Sequence, residues 1–387
     1  MTTPDMNAWM TEIERVQQAH QDALDRHGGR LGRHASGLSN HGSRILALET
    51  AEPPPIEPPP VEPPPIDPDP PPENWTLIQP GQLNPSLYVP GARLLLAPGE
   101  HGRIDGRGKS GTEDAIIWIK GQPGAHIQGL GYNGSPGVDL DHSNWWRLED
   151  LDITSGIWGV IARWTNHLDL IDCDVHHTGQ SGVQFMDDSH HLTMVGGSVA
   201  HTGQRPGEWK PGVPYRQFGE GIYIGNGWTV RPDTTSDIEL NGVEIAHTSA
   251  EAVDFRPGLK RAHLHHCHIH DIDTRNSGAV VAGIGHGSTF DQMDVLIEHN
   301  VIEDITSWGP EGWQDANGIA VSTAATIYTN TLRRCADRGI LIKAQDGHMA
   351  PHTPVSVHDN VVVDTATQFE VQGNNVTLAA EGNSWQP

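Results

Sequence analysis

The chain has 387 residues, with 24 Lys+Arg against 49 Asp+Glu and a formal net charge of −25 at pH 7. That surplus of carboxylates excludes nucleic acid as a partner, since phosphates need a basic face, and it repels acidic polysaccharides unless a local basic patch or bound cations reverse the field. With 44 Gly, 29 Pro and only 19% charged residues, and no apolar run long enough to cross a bilayer, the composition predicts a soluble, rigid β protein of extracellular type with no membrane insertion.

The first residues, Met1-Thr2-Thr3-Pro4-Asp5-Met6, carry neither a basic segment nor an apolar stretch, so no signal peptide is expected. Residues 1–50 instead show an unbroken 3-4 spacing: Met6, Met10, Ile13, Gln17, His20, Leu24, His27, Leu31, His34, Leu38, His41, Ile45, Leu48. This is a helical coiled-coil register in which Leu24, Leu31, Leu38 and Ile45 alternate with His20, His27, His34 and His41. The glycines Gly28, Gly29, Gly32, Gly37 and Gly42 weaken it by about 1 kcal/mol each, so a bundle of chains is expected rather than a lone helix. The histidine layers read either as polar layers that set register or as a pH- or ion-sensitive core.

Residues 51–73 contain the repeat Pro53-Pro54-Pro55-Ile56-Glu57-Pro58-Pro59-Pro60-Val61-Glu62 and continue in proline to Pro72. This predicts a polyproline II rod that spaces the segments on either side, with a length on the order of 60 Å at about 3.1 Å per residue.

In residues 74–387 two columns keep phase. One precedes an apolar-x-apolar step and holds Leu151, Cys173, Gly197, Val243, Cys267, Asn300, Asn330 and Asn360. The other is a small residue opening an alternating strand: Gly159-Val160, Gly182-Val183-Gln184-Phe185, Gly221-Ile222-Tyr223-Ile224, Ala252-Val253-Asp254-Phe255, Gly318-Ile319-Ala320-Val321, Gly339-Ile340-Leu341-Ile342. Neither column has a helix or hairpin period. Rungs of roughly 22 to 39 residues, rich in Gly, Asn and Asp between strands, predict an all-β solenoid whose inward side chains are buried only by stacking on neighbouring rungs. The pattern resembles the right-handed, single-stranded parallel β-helix of pectate-lyase-like proteins. The resemblance implies an asparagine ladder at Asn300, Asn330 and Asn360, with side-chain amides bonded along the column.

A coiled-coil stalk, a stiff spacer and a solenoid on a chain without a signal peptide look like a bacteriophage appendage, of the tailspike, minor tail protein or head-fibre kind. This architectural resemblance implies a homotrimer joined through residues 1–50, with a dimer as the alternative. It further implies phage particle proteins as partners of the N-terminus, a place on the virion surface, and host attachment through a bacterial surface glycan.

In such a fold the ligand groove lies on the outward face of the strand that opens each rung. Its outward residues here are Gln184, Tyr223, Asp254, Ala320, Leu341 and Glu370, with Met186, Arg256 and Lys343 one pleat further on. Trp209, Tyr215, Trp228, Trp308 and Trp313 stand in or beside the flanking loops, and aromatic rings over a polar floor suit a sugar. Tyr223 and Lys343 complete the expected carbohydrate contacts. Glycoside hydrolysis needs paired carboxylates; Asp187 with Asp188, and Glu220, Glu251 and Asp254, are the candidates. A lyase would use a base such as Arg256 beside Asp254, and would call for Ca2+; no cofactor is otherwise required. Asp187-Asp188, Gly285-His286-Gly287 and Ile342-Lys343 resemble polygalacturonase fragments, but the Asp pair and the Gly-His-Gly fall several rungs apart, no Asn-Thr-Asp is present, and no Arg precedes Ile342. They are read as chance. His263, His265, His266, His268 and His270 read as a surface strand and not as a metal site. Cys173, Cys267 and Cys335 read as buried free thiols.

Three functions remain open: a virion appendage that binds a surface glycan, with or without cleaving it, a stand-alone polysaccharide lyase or glycoside hydrolase, and a purely structural decoration. In light scattering, the full chain is expected to run as a trimer and residues 74–387 as a monomer. A monomeric full chain would remove the stalk from the argument.

Overall fold

The computed structural model describes residues 74–205, 219–227, 233–274, 277–284, 293–308, 315–345 and 349–386. The heptads and the proline segment of residues 1–73 lie outside them. The described chain is a parallel β-helix. One turn runs through Asn166–Ile171, Asp174–His176 and Val183–Met186, and the next begins at His190–Val195. Repetition of that course builds three parallel sheets of 12, 11 and 10 strands among the described residues.

Each inward column is a stack of like residues. In the ten-stranded sheet Val160, Val183, Ile222, Val253, Val280, Ile319, Ile340 and Phe369 stand in register. All but Phe369 are fully buried, and each such side chain contributes about 1.5–3 kcal/mol by leaving water. The small residues opening these strands are there for contact. A Cβ on Gly182 would stand 2.4 Å from Val199 Cγ1 and 2.8 Å from the Gly221 carbonyl oxygen. Sequence reading did not name the strands Ile104–Asp105 and Val138–Asp139 of this sheet and, between recognised rungs, missed Ser277–Ala282. Its Ala279-Val280-Val281-Ala282 run is apolar at every position, so it shows no alternation. Val281 faces outward but is buried against Ala320 and Leu341.

The second column forms the corner between the twelve- and eleven-stranded sheets. The residues just before it take the left-handed conformation, as at His266, His299, Thr329 and Asp359 (φ 55, 53, 55 and 56°). The expected asparagine ladder is present and extends one rung further, to Asn383. Asn300 Nδ2 donates to Asn330 Oδ1, Asn330 Nδ2 to Asn360 Oδ1 and Asn360 Nδ2 to Asn383 Oδ1, each at 3.0 Å. The same oxygens accept the backbone N–H of the preceding asparagine at 3.1, 3.0 and 3.0 Å. Each amide also caps a strand carbonyl, as Asn330 Nδ2 does at Ile297 (2.9 Å). The buried corner thereby keeps its polar groups satisfied.

Cys173, Cys267 and Cys335 are buried free thiols, as expected. Burial pushes them up to about 12, 11 and 12 respectively. At the other end, Leu83, Leu87 and Ala92 pack on the first rungs, and Tyr88 meets Trp146 edge-on at 5.2 Å.

Asn330→Ala removes the side-chain acceptor of the Asn300 backbone N–H and one hydrogen bond each from the Asn300 side-chain amide and the Ile297 and Tyr328 carbonyls. A loss of about 2–4 kcal/mol is expected in urea unfolding, and a loss no larger than that of an exposed Asn→Ala control would show that the ladder is not stabilising.

Candidate functional site

The outward face of the ten-stranded sheet carries the predicted groove residues Gln184, Tyr223, Asp254, Ala320, Leu341 and Glu370 in register, and the column also runs through Asp139, Ile161 and Val281. Val281, Ala320 and Leu341 make an apolar, buried stretch, and the ionisable groups concentrate on either side of it.

Two residues ahead of each strand a further column runs through Ser181, Glu220 and Glu251. Backbone bonds lock its phase: Gly182 N–H donates to the Glu220 carbonyl (3.0 Å) and Gly221 N–H to the Glu251 carbonyl (2.9 Å). This brings Glu220 and Glu251 beside Asp254, with one carboxylate oxygen of each lying within 4.8 Å of the others. Ser181 Oγ donates to Glu220 Oε2 (2.7 Å), and Gln184 Nε2 donates to Ser181 Oγ (3.1 Å). Arg256 Nη1 donates to Asp254 Oδ2 (2.8 Å), and its guanidinium lies 5.6 Å from the Tyr223 ring centroid. Gly227 makes room for that guanidinium, since a Cβ there would stand 2.5 Å from Arg256 Nε and Nη2. Among the described residues, Asp254 Oδ1, Arg256 Nε and Gln184 Oε1 are buried without a hydrogen-bond partner.

Three carboxylates this close cannot all ionise. Burial, reinforced by Glu251, pushes Glu220 up to about 8. Burial also pushes Asp254 up to about 7, against the pull of Arg256. The guanidinium is held charged, its own burial outweighed by Asp254. The cluster therefore holds a proton near neutrality. The same oxygens also fit a hard divalent cation, which favours several carboxylate ligands.

The remaining predicted residues separate from this cluster. Asp187 and Asp188 lie at the exit end of their strand, whereas Glu220 and Glu251 lie at the entry. Both adopt the left-handed conformation (φ 57 and 58°). Asp187 Oδ1 accepts from Asn226 Nδ2 (2.8 Å), and Asp188 Oδ1 accepts from Thr234 Oγ1 (2.6 Å). Their backbone N–H groups donate to Asp233 at 2.8 and 2.9 Å. Burial raises Asp187 above its usual range, with Asn226 opposing. Trp308 donates its indole N–H to the Ser249 carbonyl (2.9 Å), on an earlier rung. Lys343 stands 3.9 Å from Asp315, three strands beyond Asp254. Trp209, Tyr215, Trp228, Trp313 and the Gly285-His286-Gly287 fragment lie outside the described residues.

The histidines do not share one strand: His263 and His265 lie on Lys260–His265, His268 and His270 on His268–Thr274, and His266 stands in the corner between them. His263, His265, His268 and His270 each reach a carboxylate on a neighbouring rung, namely Glu298, Glu239, Glu303 and Glu244 at 2.8, 3.3, 2.9 and 3.1 Å. Sequence reading did not find Ser181, Asn226 or Asp233, nor the Arg163–Asp141 pair further along the groove. The phase of Ser181, Glu220 and Glu251, each two residues ahead of a strand, was the signal available for the first of these.

No family model matches the sequence, and no curated protein is similar to it. Among solved structures, an alginate lyase from Paenibacillus sp. str. FPU-7 is similar at a TM-score of 0.57 and 18% identity, over 74% of this chain and 93% of that one. PfbA, a surface adhesin of Streptococcus pneumoniae, is similar at 0.46 and 10%, over 76% and 84%. The Dettilon tailspike protein gives 0.40 and 11%, over 76% and 62%. At such identities the first likeness shows the fold, a parallel β-helix, and nothing of the chemistry.

A carboxyl whose folded value is raised supports the fold fully below its unfolded value and loses that support as pH rises through the folded one. For Glu220 the window runs from 4.5 to about 8. Glu220→Gln is therefore expected to melt with the parent near about pH 5 and above it near about pH 9. Equal melting temperatures at both would show that Glu220 is not held protonated.

Proposed function

We propose that the outward face of the ten-stranded sheet is a glycan-binding groove that hydrolyses its ligand at Glu220, Glu251 and Asp254. The observation that carries this reading is the convergence of three carboxylate oxygens within 4.8 Å beside the buried Arg256. Oxocarbenium chemistry needs one protonated carboxylic acid and one carboxylate across the scissile bond. Glu220, the member pushed furthest up, holds the proton for the leaving oxygen. Glu251, the half-buried member, stands as the nucleophile. Asp254, tied to Arg256, positions the pair.

The charge around the cluster favours a neutral sugar. Glu220, Glu251 and Asp254 face one guanidinium, Arg256, which is already bound to Asp254. A uronic acid unit would meet net repulsion there unless a cation intervened. A divalent cation on the three carboxylates would polarise such a uronate and favour elimination instead.

The heptads of residues 1–50 and the proline repeat of residues 51–73 support a setting for this groove. It is presented by a homotrimeric phage appendage, held off the particle by a stiff spacer and directed at a bacterial surface glycan.

Incubation of the full chain with neutral polymers (dextran, a β-1,3-glucan, a galactomannan) and acidic ones (alginate, polygalacturonate), with and without Ca2+, tests the chemistry. New reducing ends from a neutral polymer are expected, with the rate falling above about pH 8 and a loss of about 10²–10⁴ in Glu220→Gln and Glu251→Gln. Ca2+-dependent absorbance from unsaturated uronates would replace hydrolysis by elimination. Binding without cleavage by the parent would leave an adhesin.

A further inference from the structure

The exit corner of the groove carries rings in positions that disfavour them. His142 and Trp164, on successive rungs, both lie in the left-handed region at φ 55 and 50°. That conformation is uncommon for any residue with a Cβ and a marked outlier for one as bulky as tryptophan. Core packing does not account for Trp164, which is 42% exposed. The two rings stack with centroids 4.6 Å apart. The Arg163 guanidinium lies 5.7 Å from the Trp164 centroid, and Arg163 is clamped to the Asp141 carboxylate, with Nε donating at 2.8 Å and Nη2 to the second oxygen. On the next rung the corner residue is Asp187, whose carbonyl accepts the Trp164 N–H (3.0 Å). Among the described residues the ring stack thus ends at Trp164.

This corner is continuous with the floor that leads to Asp254. The strand ending at Arg163 lies three strands from the one carrying Asp254, roughly 14 Å along the axis at the usual strand spacing. A pyranose ring is about as long as one such spacing, so a glycan laid along the groove from Asp254 reaches Trp164 within a few units.

We propose that His142 and Trp164 form a distal sugar subsite, in which the Trp164 ring supports the apolar face of a pyranose while the Arg163–Asp141 pair meets its hydroxyls. The inference rests on the glycan reading of the groove. It adds a direction: the bound chain extends from the carboxylate cluster toward the N-terminal rungs. It also selects a ligand class, polymeric neutral sugar with an exposed axial C–H face.

Affinity electrophoresis of the full chain tests it, in native gels containing dextran, a β-1,3-glucan, a galactomannan or alginate. The parent is expected to be retarded by a neutral polymer. Trp164→Ala should weaken the apparent affinity about tenfold, Trp164→Phe should restore most of it, and all three should melt alike. Retardation equal in the parent and Trp164→Ala overturns this subsite alone, and the carboxylate variants then decide the groove independently. Weakening that Trp164→Phe fails to restore, together with a lowered melting temperature, assigns Trp164 a structural part and also overturns the subsite. A parent retarded in none of the gels overturns the subsite and the glycan reading together.

Discussion

Parallel strands hold successive rungs at a fixed spacing of about 4.8 Å, and that spacing governs every other contact in the described chain. Whatever one rung places at a given phase stands directly over its counterpart on the next. Valine over isoleucine makes a core, asparagine over asparagine makes a bonded ladder, and a ring over a ring makes a stack. The same rule is costly for charge, because an acid repeated in phase faces its like at close range.

Most of the surface resolves that cost by alternation. Arg147 stands over Asp169 (2.7 Å) and Arg261 over Asp237 (2.5 Å), while the histidines of Lys260–His265 and His268–Thr274 lean on glutamates of adjacent rungs. These exposed pairs contribute little individually, but they relieve a chain of net charge −25. Glu220, Glu251 and Asp254 break the pattern. Three acids converge with one arginine, bound to Asp254, beside them, and the cluster relieves its repulsion by holding a proton instead. Departure from an otherwise regular rule distinguishes this cluster from the many acids around it.

Periodicity made the solenoid legible in the sequence, because Val183 with Phe185 and Ile340 with Ile342 must alternate to face a core, and Asn300, Asn330 and Asn360 mark a repeated corner. It failed at Ala279 to Ala282, where the outer face is covered as well and alternation disappears. The site was legible in part. Asp254, Arg256, Tyr223 and Glu220 fall where the groove strand predicts them, while Asp187 and Asp188, adjacent in sequence and thus conspicuous, prove to be a corner held by Asn226, Thr234 and Asp233. Arg163 and Asp141 left no local signal, since their pairing depends on a rung length that varies. Trp145, His167 and His191 stack at 3.7 and 4.6 Å between ring centroids for the same reason: a corner residue belongs to no hydrophobic period.

The first described strand, Thr76–Ile78, is the end member of its sheet and pairs with Arg93–Leu96 alone. Its backbone hydrogen bonds point along the stacking direction. Tension applied to this strand along the stacking axis would therefore load those few bonds nearly lengthwise, one pair after another, and not the whole sheet in shear. The packing of Leu83, Leu87 and Tyr88 over the same end ties that strand to the rungs behind it and acts as a mechanical clasp, at the point where a pulling force would otherwise begin to peel the solenoid open.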